Sequence, residues 1–186
     1  MQIFKRNAAF AVVRGGLVAL VAAATAGSPA FGQSSGSWQC AADNGQFMEN
    51  PQPLSNGVRT ISGRIMFERS LSPDGQWAPI ANIGFSTTGP GGSCGCAGLM
   101  ARTFTSQPDI VKFYLVAEGQ ELGIAQGPVG RPLTFHLSID NDGVLTALIG
   151  KTSPTSKSIR LRNPQHNALR MSCSTAIVTF MDLQVR

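Results

Sequence analysis

Hydrophobic and polar residues alternate along much of the chain between residue 58 and the C-terminus. The clearest run covers residues 133–140, where Leu, Phe, Leu and Ile alternate with Thr, His, Ser and Asp. A repeat of two residues directs successive side chains to opposite faces of a β-strand, so one face of this segment would be buried. Residues 61–68 and 110–118 show a similar alternation. Each of these segments is predicted to be a half-buried strand.

Turn-forming residues separate the predicted strands. Pro and Gly occur together at residues 72–75, and residues 141–143, which read Asn-Asp-Gly, predict a β-hairpin. About ten short strands, with no amphipathic helix after the leader, are typical of an all-β sandwich or barrel. Besides the three segments above, strands are predicted at residues 77–87, 99–105, 122–124, 144–149, 158–162, 169–173, 176–180 and 183–185.

Residues 1–32 have the order of regions found in a secretory signal peptide. A basic start precedes an apolar stretch at residues 17–26, and small residues at Ala30 and Gly32 precede a cut ahead of Gln33. The apolar stretch is shorter than the roughly 20 residues that a membrane span needs. We therefore expect cleavage, no stable membrane span after processing, and export to the periplasm or the cell exterior. An uncleaved anchor helix is the alternative.

The remainder divides into a lead-in and one domain. Residues 33–57 are rich in Gly, Asn and Pro, and they are predicted to form an irregular N-terminal lead-in to a β-sandwich domain at residues 58–186. The net charge of the whole chain is +5. The leader carries three basic residues and no acids, so its removal leaves +2. Such a small net charge gives no support to nucleic acid binding.

The four cysteines are Cys40, Cys94, Cys96 and Cys173. An even number in an exported protein favours disulfides, although the sequence allows three pairings. We favour a Cys40–Cys173 bond, which joins the two ends of the domain, with a local bond between Cys94 and Cys96. A soft-metal site at these two close cysteines, for example for copper(I), is the alternative. We expect no metal, because thiolates in an oxidising compartment more often form disulfides.

Three segments of the C-terminal half carry a recognisable pattern. Residues 135–140 and 142–150 form a strand, an Asp-Gly turn and a second strand that ends at Gly150, and residues 180–185 read Phe-Met-Asp-Leu-Gln-Val. The pattern resembles the concanavalin A-like jelly roll of lectins, laminin-G modules and glucanases. The resemblance implies two antiparallel sheets packed face to face, with the last strand near an early strand at residues 61–65. The implied core comprises Ile61, Ile65, Phe67, Ile83, Phe85, Phe113, Leu115, Phe135, Leu137, Ile139 and Leu148.

The predicted mature sequence lacks familiar catalytic motifs. Glucanases of this type use carboxylates spaced E-x-D-x-E, because one acid donates a proton while another attacks or stabilises. The ten acidic residues of this chain are scattered, and there is no Gly-x-Ser-x-Gly elbow. Asp140 and Asp142 are close together, and a calcium role is the alternative to the hairpin turn that we favour. His166 lies in a predicted loop with no assigned role. We therefore assign no catalytic residue and no cofactor.

Basic and aromatic residues occupy strand positions opposite the apolar ones. If some share a sheet face, they form a polar groove for an acidic glycan, in which Arg binds carboxylates or sulfates and aromatic rings stack on sugars. The alternative is that they only solvate strand faces and protect sheet edges. The candidate ligand-binding residues are Arg102, Lys112, Tyr114, His136 and Trp77, and Arg64, Arg160, Arg162 and Arg170 occupy similar positions.

The sequence therefore favours an exported, non-catalytic binding module for a glycan or another cell-surface polymer. Low charge, many glycines and open strand edges also suit an alternative, a structural or interaction subunit of an envelope assembly, with an envelope protein as its partner. A third alternative is a polysaccharide lyase or hydrolase that uses His136, Tyr114 and Arg102.

Overall fold

The computed structural model describes residues 36–72, 76–86 and 96–186, and these residues contain strands and connections but no helix. No helix in this part of the chain is long and apolar enough to cross a membrane. The predicted signal peptide lies outside the described residues. The strands are β1 (Gly36–Pro53), β2 (Thr60–Ser70), β3 (Ile80–Ser86), β4 (Ala97–Phe104), β5 (Gln107–Ala117), β6 (Gln120–Pro128), β7 (Leu133–Ile139), β8 (Val144–Ile149), β9 (Thr155–Arg160) and β10 (Ala168–Val185).

The strands form two antiparallel sheets that share the long strands β1 and β10. Residues 168–174 of β10 pair with β3, and residues 176–185 pair with β2. β1 pairs along both parts of β10. Sheet 1 therefore has the order β6-β5-β4-β3-β10-β1, and sheet 2 has the order β1-β10-β2-β7-β8-β9. β4 packs across the core against β8, and β5 and β6 pack against β9. The predicted two-sheet antiparallel sandwich is confirmed.

β10 changes sheet at Thr175, which is buried and has a φ of 53°. A β-branched residue adopts this left-handed conformation at a cost of about 1–2 kcal/mol. The side-chain Oγ1 accepts a hydrogen bond of 3.2 Å from the Gly45 amide, which lies in a bulge of β1 opposite the bend. The prediction of three separate strands after residue 168 is therefore wrong, because one strand continues through local irregularities at Thr175 and Asp182.

The core lies between the sheets and follows the predicted alternation, with one error. Ten of the eleven predicted core residues are buried, whereas Leu148 is only half-buried. In β8 the inward positions are Leu145, Ala147 and Ile149, so Leu148 faces outward opposite His136. Both faces of β8 carry apolar side chains, and so the sequence of this strand does not identify its buried face.

The prediction of an irregular lead-in is wrong for most of its length, because β1 runs from Gly36 to Pro53. The turn-forming residues that suggested a loop lie instead within β1, in a bulge and along its edge. Residues 43–46 form the bulge opposite Thr175, and Pro51 and Pro53 lie on an edge strand, where a missing amide hydrogen is tolerated.

The Cys40–Cys173 disulfide is confirmed, with a Cα–Cα distance of 6.0 Å and both residues fully buried. Cys40 belongs to the part of β1 in sheet 2, and Cys173 belongs to the part of β10 in sheet 1, so the bond links the two layers. Cys96 is also disulfide-bonded, while its predicted partner, Cys94, lies outside the described residues. Oxidised cysteines agree with an exported protein.

Candidate ligand-binding face

The outer face of sheet 1 carries the basic and aromatic side chains of β4 and β5. Every second residue of each strand is buried in the core, for example Leu99 on β4 and Phe113 on β5. The intervening residues of each strand therefore point outward. Arg102 is directly opposite Lys112 across the β4–β5 ladder, and Met100 is opposite Tyr114. The pairing register therefore assembles the polar positions of the two strands into one surface.

Arg102 lies between two aromatic rings on this surface. Its guanidinium carbon is 4.8 Å from the centroid of Phe104 and 5.0 Å from that of Tyr114. The Nζ of Lys112 is 5.2 Å from the Phe104 centroid. Cation–π contacts of this kind contribute about 0.5–2 kcal/mol each and hold the charged groups in place without neutralising them. We call Arg102, Phe104, Lys112 and Tyr114 the cationic cluster.

One carboxylate accompanies the cationic cluster. Glu121 on β6 lies 3.6 Å from an Nη atom of Arg102, at a site where both side chains are partly exposed. Among the described residues, Lys112 forms no ion pair, so one positive charge of the cluster is not balanced. The Arg102 Nε is buried without a hydrogen-bond partner in this part of the chain. Packing against the rings, and not hydrogen bonding, therefore positions this arginine.

A groove of about 930 Å³ leads from the cluster to Trp77. The groove is lined by Arg102, Phe104 and Pro79, by the C-terminal end of β2 at Ser70, and by Trp77, which is 54% exposed. The indole lies against Gly45, where an added Cβ would be 3.3 Å from the Trp77 Nε1. Gly45 therefore lets the bulge of β1 support the ring while much of its surface stays accessible.

The other side of the cluster opens onto β6. A shallow recess of about 290 Å³ is lined by Lys112, Tyr114, Gly123 and Gln126. Gly123 is opposite Tyr114, and because it has no side chain, the flank of the tyrosine ring remains uncovered. Two accessible rings therefore lie near the cations, Tyr114 in the recess towards β6 and Trp77 in the groove that Arg102 lines.

The five candidate ligand-binding residues divide between the two sheets. Arg102, Lys112 and Tyr114 lie together, and Trp77 lines the same groove as Arg102. His136 lies on the outer face of sheet 2, between Ser62 and Leu148 in the pairing register, and so it shares no site with the other four. Phe104 was not among the predicted residues, although its spacing of two from Arg102 places it on the same strand face.

The glutamates of this face are poorly placed for glycosidase chemistry. Glu121 lies on β6 and Glu49 on β1, with four strands between them. At about 4.8 Å per strand, the two are roughly 24 Å apart, whereas paired glycosidase carboxylates are about 5–9.5 Å apart. Glu49 is also ion-paired with Arg170. The two acids therefore cannot act on one glycosidic bond in this arrangement.

Asp140 and His166, the two other residues considered in the sequence, have structural contacts in the protein. The Asp140 carboxylate accepts hydrogen bonds from the amides of Asp142 (2.9 Å) and Val144 (2.8 Å), so it shapes the predicted β7–β8 hairpin turn. No group of three or more potential metal ligands occurs among the described residues. His166 contacts the carbonyl oxygens of Val58 (2.6 Å) and Pro164 (2.9 Å) and packs against Phe85. It joins two loops and is remote from the cationic cluster.

No protein-family model and no curated protein matches this chain in sequence. Solved structures match it in fold. The exoplasmic/lumenal domain of VIP36, in a Ca2+/Man-bound form, is 12% identical with a TM-score of 0.54, over 78% of this chain and 75% of that chain. Scytalido-glutamic peptidase, bound to a peptide-based transition state analog, is 15% identical with a TM-score of 0.53, over 75% and 78%. Identities this low indicate a shared architecture and leave the ligand open. With its two shared-strand sheets and these similarities, the chain has the concanavalin A-like jelly-roll fold.

Proposed function

We propose that this protein is an exported binding module for an acidic glycan, which it holds on the outer face of sheet 1. The observation that carries the proposal is the cationic cluster, where Arg102 and Lys112 are held against aromatic rings beside an accessible groove. The guanidinium and the ammonium would bind carboxylate or sulfate groups. Trp77 and Tyr114 would stack on the apolar faces of sugar rings.

The similarity to both a Man-bound domain and a peptidase does not choose between glycan and peptide ligands. The surface itself favours the glycan. Sugar rings present flat CH faces to exposed indole and phenol rings, and the groove that Arg102 lines also contains such a ring, Trp77. An extended anionic chain would use both features at once.

Affinity for polysaccharides tests the proposal. The purified protein is titrated with polygalacturonate, heparin and neutral dextran, in low and high salt. We expect binding to at least one of the two acidic polymers, no binding to dextran, and weakening by salt because exposed charges are screened. Lys112→Gln removes the charge and keeps most of the side-chain stem, so we expect affinity to fall about tenfold.

Lys157→Gln is the matched control. Lys157 is exposed on β9 in sheet 2, and its substitution removes the same charge from the other side of the molecule. It should leave the affinity unchanged. Equal losses in the two variants would show that binding follows net charge and not the cationic cluster. If the wild-type protein binds neither acidic polymer, the proposal is refuted.

An interaction role is a second candidate, favoured by β1. This strand pairs only with β10, so among the described residues its other edge is free. Phe47 and Met48 on β1 are 57% and 43% exposed. A partner strand could add to this edge, although Pro51 and Pro53 limit the length of a continuous ladder. Crosslinking of an envelope extract with a photoreactive group at residue 48 tests this role, and a strictly monomeric protein with no crosslinked partner would contradict it.

A further inference from the structure

A second recess on the outer face of sheet 1 has no part in the contacts proposed so far. It encloses about 260 Å³, and it is lined by Phe47, Asn82, Gly84, Gly98, Val116 and Ser172. We infer that this recess binds an acetyl substituent of the same acidic glycan, and so recognises an acetylated polysaccharide. The inference rests on the proposed function, since it assigns a further group of that ligand.

The floor of the recess is backbone, because Gly84 and Gly98 face each other across the β3–β4 ladder. A Cβ at Gly98 would lie 2.2 Å from the carbonyl oxygen of Ile83, and a Cβ at Gly84 would lie 2.5 Å from that of Ala97. No side chain fits between strands this close. The sheet therefore has a bare area at this point, surrounded by the side chains of the neighbouring strands.

The walls of the recess are largely apolar. Val116 on β5 is opposite Gly98, and Phe47 reaches over from β1. A methyl group that enters the recess would exchange water for contact with Val116, the Phe47 ring and the two glycine Cα atoms. Burial of one methyl-sized group corresponds to roughly a fourfold gain in affinity.

The recess also offers polar atoms at one side. The Asn82 amide donates to Ser172 Oγ at 3.4 Å, which is a long hydrogen bond. The Asn82 carbonyl oxygen has no partner among the hydrogen bonds of the described residues. An amide side chain of this kind can bind the carbonyl or the neighbouring N–H or O–H of an acyl sugar. A mainly apolar recess whose polar groups are one amide, one hydroxyl and an ion-paired arginine suits an acetyl group better than it suits a charged group.

The recess and the cationic cluster lie along the same strand. Gly98 precedes Arg102 by four residues on β4, which corresponds to roughly 13 Å at about 3.3 Å per residue. One extended polysaccharide can therefore place a carboxylate at Arg102 and an acetyl group above Gly98. Net charge in the recess is also small, because Arg170 at its side is ion-paired with Glu49.

The test compares O-acetylated polygalacturonate with the same polymer after mild saponification, so that length and charge are matched. Wild-type protein should bind the acetylated form about three- to tenfold more tightly. Val116→Phe fills the recess and should abolish this preference while affinity for the saponified polymer is kept. Ile110→Phe is the control, because Ile110 lies on the same face of β5 but outside the recess. Phe47→Ala removes an exposed wall without disturbing the core, and it should also reduce the preference.

The outcomes separate this inference from the proposed function. Equal affinity of the wild-type protein for both polymers would overturn the acetyl site, while a tenfold loss in Lys112→Gln would still support acidic-glycan binding. A preference that persists in both Val116→Phe and Phe47→Ala would also overturn it. If neither polymer binds, both the inference and the proposed site for this polymer are wrong.

Discussion

Removal of the Cys40–Cys173 disulfide should destabilise the protein by several kcal/mol. The two cysteines are 133 residues apart in sequence, so the bond closes most of the described chain into one loop. The chain-entropy relation gives about 17 cal/mol/K for a loop of this length, or about 5 kcal/mol at 25 °C. Because whole domains are stable by only about 5–15 kcal/mol, this term is a large part of the total. The double variant Cys40→Ala/Cys173→Ala tests the estimate.

Unfolding of the double variant should begin at β1. This strand is bound to the sandwich through its ladder with β10, the disulfide, and a stacked Trp38–Phe180 pair with centroids 5.7 Å apart. Without the covalent bond, β1 can separate while the remaining strands of each sheet stay paired. In the double variant, we therefore expect the amide hydrogens of β1 to exchange faster than those of β7 under native conditions. The difference in exchange rate between the two strands should be larger in the variant than in the wild-type protein.

Urea denaturation, followed by tryptophan fluorescence and by far-ultraviolet circular dichroism, measures the effect. Fluorescence is recorded in a Trp77→Phe background, so that Trp38 alone reports on β1, and circular dichroism reports on the whole sandwich. We expect the midpoint to fall in both signals, with the fluorescence transition at lower urea. A loss below about 1 kcal/mol, with unchanged exchange of β1, would refute the argument, because it would show that the bond does not restrict the unfolded chain as the loop length requires.

Five further substitutions are checked by the same denaturation assay. His166→Phe keeps the ring packing and loses both carbonyl contacts, so about 1–3 kcal/mol should be lost; an unchanged midpoint would mean that the loops do not depend on it. Gly84→Ala introduces a backbone clash and should cost about 3 kcal/mol, whereas Gly57→Ala has open space and should cost about 1–2 kcal/mol for its positive φ alone; the reverse order would contradict the clash. Leu137→Ala should cost about 2–5 kcal/mol and Leu148→Ala about 1 kcal/mol, and equal effects would argue against the observed β8 register.

The alternation of residue types was sufficient to predict the fold class and most of the core. In β7 every second residue is apolar, so the buried face is unambiguous. In β8 both faces carry apolar residues, and the choice depends on pairing with β7, which the sequence of one strand does not contain. The last strand was predicted to lie near residues 61–65, and Phe180 is indeed opposite Ile65.

The two strands shared by the sheets, β1 and the continuous β10, could not be predicted from local residue types. β1 is rich in Asn, Gly and Pro because it is an edge strand with a bulge, and these are the residues that ordinarily indicate loops. The bend at Thr175 was not predictable either. A β-branched residue is among the least expected at positive φ, and only the Gly45 hydrogen bond and the surrounding packing explain it.

For the candidate site, the sequence predicts which face of a strand a residue occupies, but it does not predict which strands are neighbours. Alternation correctly placed Lys112 and Tyr114 on a polar strand face, and the spacing of two could have added Phe104. The sheet to which each strand belongs is a property of the strand order, so nothing in residues 133–139 separates His136 from the other candidates.

Which face binds a ligand depends on how its charges are paired, and the net charge of the chain does not decide it. On sheet 2, Arg64 is bound to Asp182 with an N–O distance of 2.5 Å, and Arg160 donates to the backbone oxygen of Asp142 at 3.0 Å. These cations have partners, and an incoming anion would have to compete with them. On sheet 1, Lys112 contacts the Phe104 ring and forms no ion pair among the described residues. A cation held by a ring keeps its charge available, because the ring cannot neutralise it. For this reason we propose the cationic cluster of sheet 1, and not Arg64 or Arg160 of sheet 2, as the site for an anionic ligand.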